Sequence, residues 1–246
     1  MNERHKTILK LLSQQNEVSV LDLSASLKVS SVTIRQDLRD LEKQELLKRI
    51  HGGAVLNRSD KISNRMVFNY EEKLKIAQKA AEYVNDGETI FIESGSVNTL
   101  LAKELTKKKN ITILTSNTYI ARELRNNKEI NIIIMGGLYQ HQSESLVGKL
   151  TRLCIEHVNF SKAFIGIDGF SPETGFTSKD MLRAETAYTI VKKSKKTFIL
   201  TDSTKFDKIA LTKICNPKDI DYLISDGISS ENTKFLKKNN VKVITV

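Results

Sequence analysis

From Glu71 onward the chain alternates β-branched runs with amphipathic helical stretches, and this alternation narrows the possible folds more than any other feature. Helical periodicity over 71–84 precedes TIFI from Thr89, a helix after Ser96 precedes ITIL from Ile111, and a helix near 119–125 precedes INIII from Ile130. AFIGI from Ala163, a helix near 180–193, TFIL from Thr197, YLIS from Tyr222, a helix from Ser230 and the terminal VKVITV continue the series. Apolar strands between such helices imply an α/β class with a largely parallel sheet, covered on both faces.

Small polar residues follow each strand: Glu93-Ser94-Gly95-Ser96, Thr115-Ser116-Asn117, Gly136-Gly137, Asp168-Gly169, Thr201-Asp202-Ser203 and Ser225-Asp226-Gly227. In open α/β sheets ligands bind at this carboxyl edge, where loops aim backbone N–H groups and helix N-termini into one crevice. Any one of these is also a common turn, but six together favour a polar small-molecule site. Ser94-Gly95-Ser96, ahead of a helix starting near Val97, is the strongest phosphate candidate. Glycine permits an anion-binding nest there, and hydroxyls and helix N–H groups supply donors without bulk. Neither GxxxxGK[ST] nor GxGxxG occurs, so nucleotide binding has little support. Lys205 keeps two readings, an ammonium completing a phosphate cradle or a surface lysine after a turn.

The first 57 residues follow a different plan. Ile34, Leu38 and Leu41 form the apolar stripe of a short helix, Ser30 is placed as its N-cap, and Ser31 and Thr33 lie in its first turn. The opposite face carries Val32, Arg35, Gln36 and Arg39, with Asp37 and Asp40 tempering the charge. Arg and Gln match guanine and adenine edges in the major groove, while an ordinary solvated face is the plain alternative. Helical patterns through Ile8, Leu11 and Leu12 and through Val20, Leu23 and Leu27 precede a tight turn at 28–30. After the third helix, Leu46 and Leu47 lead into Lys48, Arg49 and Ile50, and His51-Gly52-Gly53 turns the chain before Ala54 and Val55. Helix, helix, turn, recognition helix and two-stranded wing, in that order, read as a winged helix-turn-helix that binds a double-stranded DNA operator, with a small helical interaction module as the alternative. The stretch from Leu56 to Tyr70 lacks an apolar period. The expected organisation is therefore a DNA-binding domain over 1–57, a linker over 58–70 and a second domain over 71–246.

Net charge adds little to that assignment. Of a total of +10, residues 1–57 hold nine Lys or Arg against seven Asp or Glu, so most of the excess lies in the larger part. Runs such as Lys107-Lys108-Lys109 and 192–196 read as solvated faces. Cys154 and Cys215 stand far apart without CxxC spacing and the four histidines are scattered, so neither a metal site nor a disulfide nor a cofactor is indicated, and both thiols are expected to be buried and reduced. No apolar run approaches the ~20 residues of a membrane span and the N-terminus lacks a signal-like stretch, so no membrane partner and a cytoplasmic location are expected.

Thr33-Ile34-Arg35-Gln36-Asp37-Leu38 and Arg49-Ile50-His51-Gly52-Gly53 resemble the N-terminal signature of DeoR-type bacterial transcriptional regulators, and GSVNTLLAKEL, TSNTYIARELR, MGG, FIGIDGFSPETGFTS and LTDSTKF resemble successive signatures of that family's sensor domain. The resemblance spans nearly the whole chain. It implies DNA contacts from Ser31, Val32, Thr33, Arg35, Gln36, Arg39, Arg49, His51 and Gly52. It also implies a sensor that resembles pentose-phosphate isomerases in fold and responds to a phosphorylated sugar or related metabolite. By the same resemblance Ser94, Gly95, Ser96 and Asn98 would form the phosphate loop, with Thr115, Asn117 and Gly137 beside it and Asp168, Thr177, Glu185 and Lys205 towards the sugar end. Gln36 stands where the family often has arginine, and Val97 and Asn98 where it often has threonines.

Two classes of function compete. In the first, a ligand-controlled transcription factor, a repressor of carbohydrate-metabolism genes working as a homo-oligomer, changes its operator affinity when the crevice fills. In the second, an isomerase uses Asp168 and Glu185 as acid and base, or a CoA-transferase-like enzyme uses Glu93. The second is weaker, because the isomerases' acidic DGADE-type loop reads Asp168-Gly169-Phe170-Ser171-Pro172 here. The chain is therefore not expected to be an enzyme.

Overall fold

The structure, a computed structural model, describes residues 2–15, 17–57 and 61–246. Contacts divide the chain into two units, Met1–Tyr70 and Glu71–Val246. In the first, α1 (Glu3–Gln15), β1 (Glu17–Ser19), α2 (Val20–Leu27) and α3 (Ser31–Lys43) precede a hairpin of β2 (Leu47–Ile50) and β3 (Gly53–Leu56). Serines start both inner helices: Ser19 Oγ accepts from the Asp22 amide at 3.0 Å and Ser30 Oγ from the Thr33 amide at 3.2 Å. Between them Lys28 ends α2 in the left-handed region, φ 55°. The apolar stripes meet in one core of Ile8, Leu12, Leu23, Ile34, Leu38 and Leu41 with Leu47 and Ala54 of the wing.

The expected two-stranded wing has a third strand. β1 pairs antiparallel with β3, giving the order β1-β3-β2. This pairing explains the second glycine of the turn, since a Cβ at Gly53 would lie 2.3 Å from the Val18 carbonyl oxygen. Three residues are too few for a periodic signal, so β1 was not legible. The expected linker also differs. Residues 58–60 lie outside the described ones, but α4 (Ile62–Val67) is a helix with Ile62, Asn64 and Met66 buried, and Val67 and Phe68 pack against the first unit's core. Asn57 and Asn64 each donate to the Glu45 carbonyl at 2.6 Å.

The second unit opens with α5 (Tyr70–Ala81), shorter than the expected 71–84. It continues through β4 (Thr89–Ile92), α6 (Ser96–Glu104), β5 (Ile111–Thr115), α7 (Thr118–Leu124), β6 (Ile130–Ile134), β7 (Leu138–Gln140), β8 (Ser145–Val147), α8 (Lys149–Glu156) and β9 (Lys162–Ile165). Then follow β10 (Gly169–Ser171), β11 (Gly175–Ser178), α9 (Met181–Lys193), β12 (Lys196–Leu200), β13 (Thr212–Cys215), β14 (Tyr222–Ser225), α10 (Ser230–Lys238) and β15 (Lys242–Thr245). Seven strands form one sheet, β15-β14-β12-β9-β4-β5-β6, with every neighbour parallel. The chain winds outward from β4 in both directions, so β4 and β9 flank the switch point, the position where such sheets bind ligands.

Three expectations are corrected here. A β7–β8 hairpin, α8 and an antiparallel sheet β10-β11-β13 interrupt the simple alternation; each of these strands holds only three or four residues and carries no clear period. The main sheet is not covered throughout, because Ile133 and Ile134 on its edge strand are 47% and 45% exposed. Of the thiols, Cys215 is buried, which pushes its pKa up to about 12, but Cys154 is only half-buried.

Candidate functional site

The outward face of α3, the candidate DNA-reading face, is set by what the helix buries. Ile34, Leu38 and Leu41 face the core, leaving Val32, Arg35, Gln36 and Arg39 exposed and Ser31 and Thr33 half-buried in the first turn. Asp37 does not temper this face, contrary to expectation. It is 4% exposed and accepts from Arg4 Nε at 2.6 Å and Nη2 at 2.9 Å, with His5 Nε2 at 3.1 Å. Burial alone would raise its carboxyl, but the hydrogen bonds from Arg4 and His5 outweigh burial and hold it below the ordinary range. Asp37 thus ties α3 to α1, and the exposed face is more cationic than its sequence suggested. Asp40 stays near the surface and accepts from Gln36 Nε2 at 3.0 Å.

The wing is pinned at both ends. Arg49 donates through its amide to Glu42 Oε1 at 2.8 Å and through Nε to Oε2 at 2.7 Å, two bonds that lower the Glu42 pKa. His51 and Gly52 form the exposed tip, with Gly52 at φ 76°, and the Gly52 carbonyl accepts from the Val20 amide at 2.8 Å. The tip therefore fixes the start of α2. Arg49 is partly committed to Glu42, whereas Arg35 and Arg39 stand on an exposed surface.

In the second unit the turn from β4 to α6 lies at the switch point. Ser94, Ser96 and Asn98 are buried, and Gly95 takes φ 137°, open to glycine and strained for other residues. Asn98 Nδ2 donates to the carbonyls of Glu93, Ser94 and Phe164 at 3.1, 3.2 and 3.1 Å. Three carbonyls around one atom identify it as the amide nitrogen. Asn98 Oδ1 is buried with no hydrogen-bond partner among the described residues, and the first-turn amides of α6 have no preceding carbonyls to bond. Glu93 bridges the two strands: Oε1 accepts from Ser94 Oγ and Oε2 from the Gly166 amide at 3.2 Å.

Of the other expected ligand residues, Thr115, Asn117, Gly137 and Asp168 lie at or just after the ends of β5, β6 and β9, whereas Thr177 lies in β11 and Glu185 in α9, and their polar atoms are largely engaged. Thr115 Oγ1 accepts from the Asn117 amide, and Asn117 caps α7 through Oδ1 while Nδ2 donates to the Ser143 carbonyl. Gly137 lets two segments touch, as a Cβ there would sit 1.9 Å from Thr151 Oγ1. Asp168 accepts from the Lys179 amide at 3.0 Å, and Thr177 Oγ1 donates to the Gly169 carbonyl and accepts from the Ala210 amide. Glu185 forms an ion pair with Arg152 of α8. Lys205 ends a 3-10 turn, Ser203–Lys205, beside Asp202.

Asp202 and Lys73 are the pair that sequence reasoning missed. Both are buried, with Lys73 Nζ 4.0 Å from Asp202 Oδ2. Burial would raise the Asp202 carboxyl, but the charges of Lys73 and Lys205 and hydrogen bonds from Thr204 bring it below the usual range. The signal was present: Lys73 shares the buried stripe of α5 with Ile76, Ala77 and Ala80, at a position where a lysine needs a partner.

The sequence matches the DeoR-like helix-turn-helix domain over residues 4–60 and the DeoR C terminal sensor domain over residues 68–227. It is 37% identical over 229 residues to the HTH-type transcriptional regulator GolR of Listeria innocua, covering 92% of this chain and 90% of that one. It is 30% identical over 228 residues to the glycerol-3-phosphate regulon repressor of Escherichia coli K12, again 92% and 90%. A ribose 5-phosphate isomerase from Methanocaldococcus jannaschii aligns with a TM-score of 0.42 and 18% identity over 56% of this chain and 55% of that one, a likeness that carries no functional argument. With both halves matched in order, the chain belongs to the DeoR family and is a DNA-binding transcriptional regulator.

Proposed function

We propose that the chain is a repressor of carbohydrate-metabolism genes that releases its operator when a phosphorylated sugar fills the crevice at the β4–β9 switch point. The observation that carries this reading is the β4–α6 turn. The unbonded amides at the start of α6 suit a phosphate, and the partnerless Asn98 Oδ1 asks for a donor, which a ligand hydroxyl supplies. The names of the relatives support the same class of effector, one of them being a glycerol-3-phosphate regulon repressor. Ser94, Gly95, Ser96 and Asn98 hold the phosphate end in this reading. Thr115, Asn117, Gly137, Asp168 and Thr177 shape the walls, Lys205 adds charge, and Glu185 acts through Arg152.

A binding role is favoured over turnover because the carboxylates an enzyme would use are committed to structure: Glu93 to Ser94 and Gly166, Asp168 to the Lys179 amide, and Glu185 to Arg152. On the DNA side, Ser31, Val32, Thr33, Arg35, Gln36 and Arg39 read the major groove, and Arg49, His51 and Gly52 follow the backbone. One winged unit reads a short site, so the chain acts as a homo-oligomer on paired half-sites, in the cytoplasm where its operator lies. A thermal-shift screen over phosphorylated sugars should identify one that raises the melting temperature and releases operator DNA. Ser96→Glu places a carboxylate where the phosphate sits, so this variant should bind DNA and ignore that sugar. Release by the same concentration of sugar in the variant refutes the assignment of the turn.

A further inference from the structure

β6 carries INIII, four isoleucines interrupted only by the exposed Asn131, yet among the described residues it ends the sheet with one edge unpaired. Ile133 stands in register with Leu114 of β5, so both side chains lie on one face of the sheet. On that face Ile155 of α8 packs in one cluster with Leu114 and Met135, while Leu150 and Leu153 of the same helix remain 57% and 41% exposed. Leu150 also reaches the backbone that leaves β6, since a Cβ at Gly136 would lie 3.6 Å from it, and Leu138 just beyond is 63% exposed. Ile133, Leu138, Leu150 and Leu153 thus line one face of the β6 edge and the outer flank of α8, with Ile134 exposed on the other face of the same strand, an open apolar surface of the kind monomeric proteins rarely leave uncovered. The opposite edge of the sheet is β15, where an exposed Lys242 discourages pairing.

Charge and symmetry point to what covers this surface. At a net charge of +10 two copies of the chain repel at most faces, but β6 bears no charge. In a two-fold antiparallel pairing centred on Ile132, Ile130 falls opposite Ile134, and Lys128 opposite Gly136 rather than another Lys128. The β6 strand can therefore pair with its own copy without opposing like charges. A stable dimer needs about 800 Å² from each partner, with its apolar share concentrated at the centre, and these exposed apolar side chains would supply that centre. We propose that the β6–α8 surface is the face through which a second copy of this chain docks. This rests on the homo-oligomer reading above and deepens it by placing the interface.

Light scattering on the full chain tests both. The unsubstituted chain should have twice the mass of one chain or a larger even multiple. Ile133→Lys and Leu150→Glu, each at an exposed position and each checked for native circular dichroism, should halve it. Leu211→Glu, at another exposed leucine outside this surface, should leave the mass unchanged. If Ile133→Lys and Leu150→Glu fold and keep the full mass, the interface lies elsewhere while the homo-oligomer reading stands. A monomeric unsubstituted chain overturns both. A mass halved by Leu211→Glu as well overturns the assignment of this surface.

Discussion

The two units treat polar side chains in opposite ways. On α3 the residues that matter are those left over: the stripe of Ile34, Leu38 and Leu41 takes the core, and Arg35 and Arg39 remain exposed on a rigid helix. At the carboxyl edge of the large sheet Thr115 and Asn117 are 0% exposed, and Thr177 in the small antiparallel sheet is 2% exposed, with their hydroxyls and amides bonded to nearby backbone and caps. A helix face proposed to meet DNA is a surface, available once the core is assigned. A crevice made of loops must first satisfy its own backbone, and the residues that do so are of the same types that would hold a ligand.

The largest expected effect tests the exception in the first unit, the buried Asp37. Asp37→Ala leaves Arg4 and His5 without their carboxylate and should cost about 3 kcal/mol in denaturant unfolding. Because the folded-state pKa of Asp37 is lowered, its contribution is complete above the unfolded carboxylate pKa and fades as pH falls through the lowered value. The variant should therefore lose less stability on acidification than the parent, and parallel pH–stability curves would remove Asp37 from the account.

Next in size is Asn117→Ala, which removes the cap of α7 and the bond to Ser143. A loss of about 2 kcal/mol in sensor stability is expected with or without ligand. Unchanged stability with weakened sugar binding would instead make Asn117 a ligand residue and break the contrast between the units. Arg35→Ala should weaken operator binding by roughly 1–3 kcal/mol and blur base preference, read by fluorescence anisotropy at fixed salt against altered operators. Arg49→Ala should cost less than about 1 kcal/mol, spread evenly over sequences, because Glu42 already holds that guanidinium. Equal effects from the two arginines would place the wing, not α3, in charge of specificity.

Much of the fold was legible for local reasons. Ser30 caps α3 as its position before an apolar stripe implied, and TIFI, INIII and YLIS are strands that begin at the residues expected. The candidate crevice was legible only as an edge. That Ser94 to Asn98 sit at the switch point follows from the order of strands, which no single strand reveals. Lys73 could have been flagged from its helical register, but its partner Asp202 lies more than a hundred residues away.

The sequence by itself determined the class of fold, the order of its two units and the face of α3 that turns outward, because periodicity, caps and turn residues act within a few positions. Tertiary structure alone decided that Asp37 is buried against Arg4, that Glu17–Ser19 adds a strand to the wing, that Glu185 turns to Arg152 and that INIII lies open at an edge. Each of these depends on which distant segment arrives beside a residue. A side chain's type states what it needs, and only the packed neighbours state how that need is met.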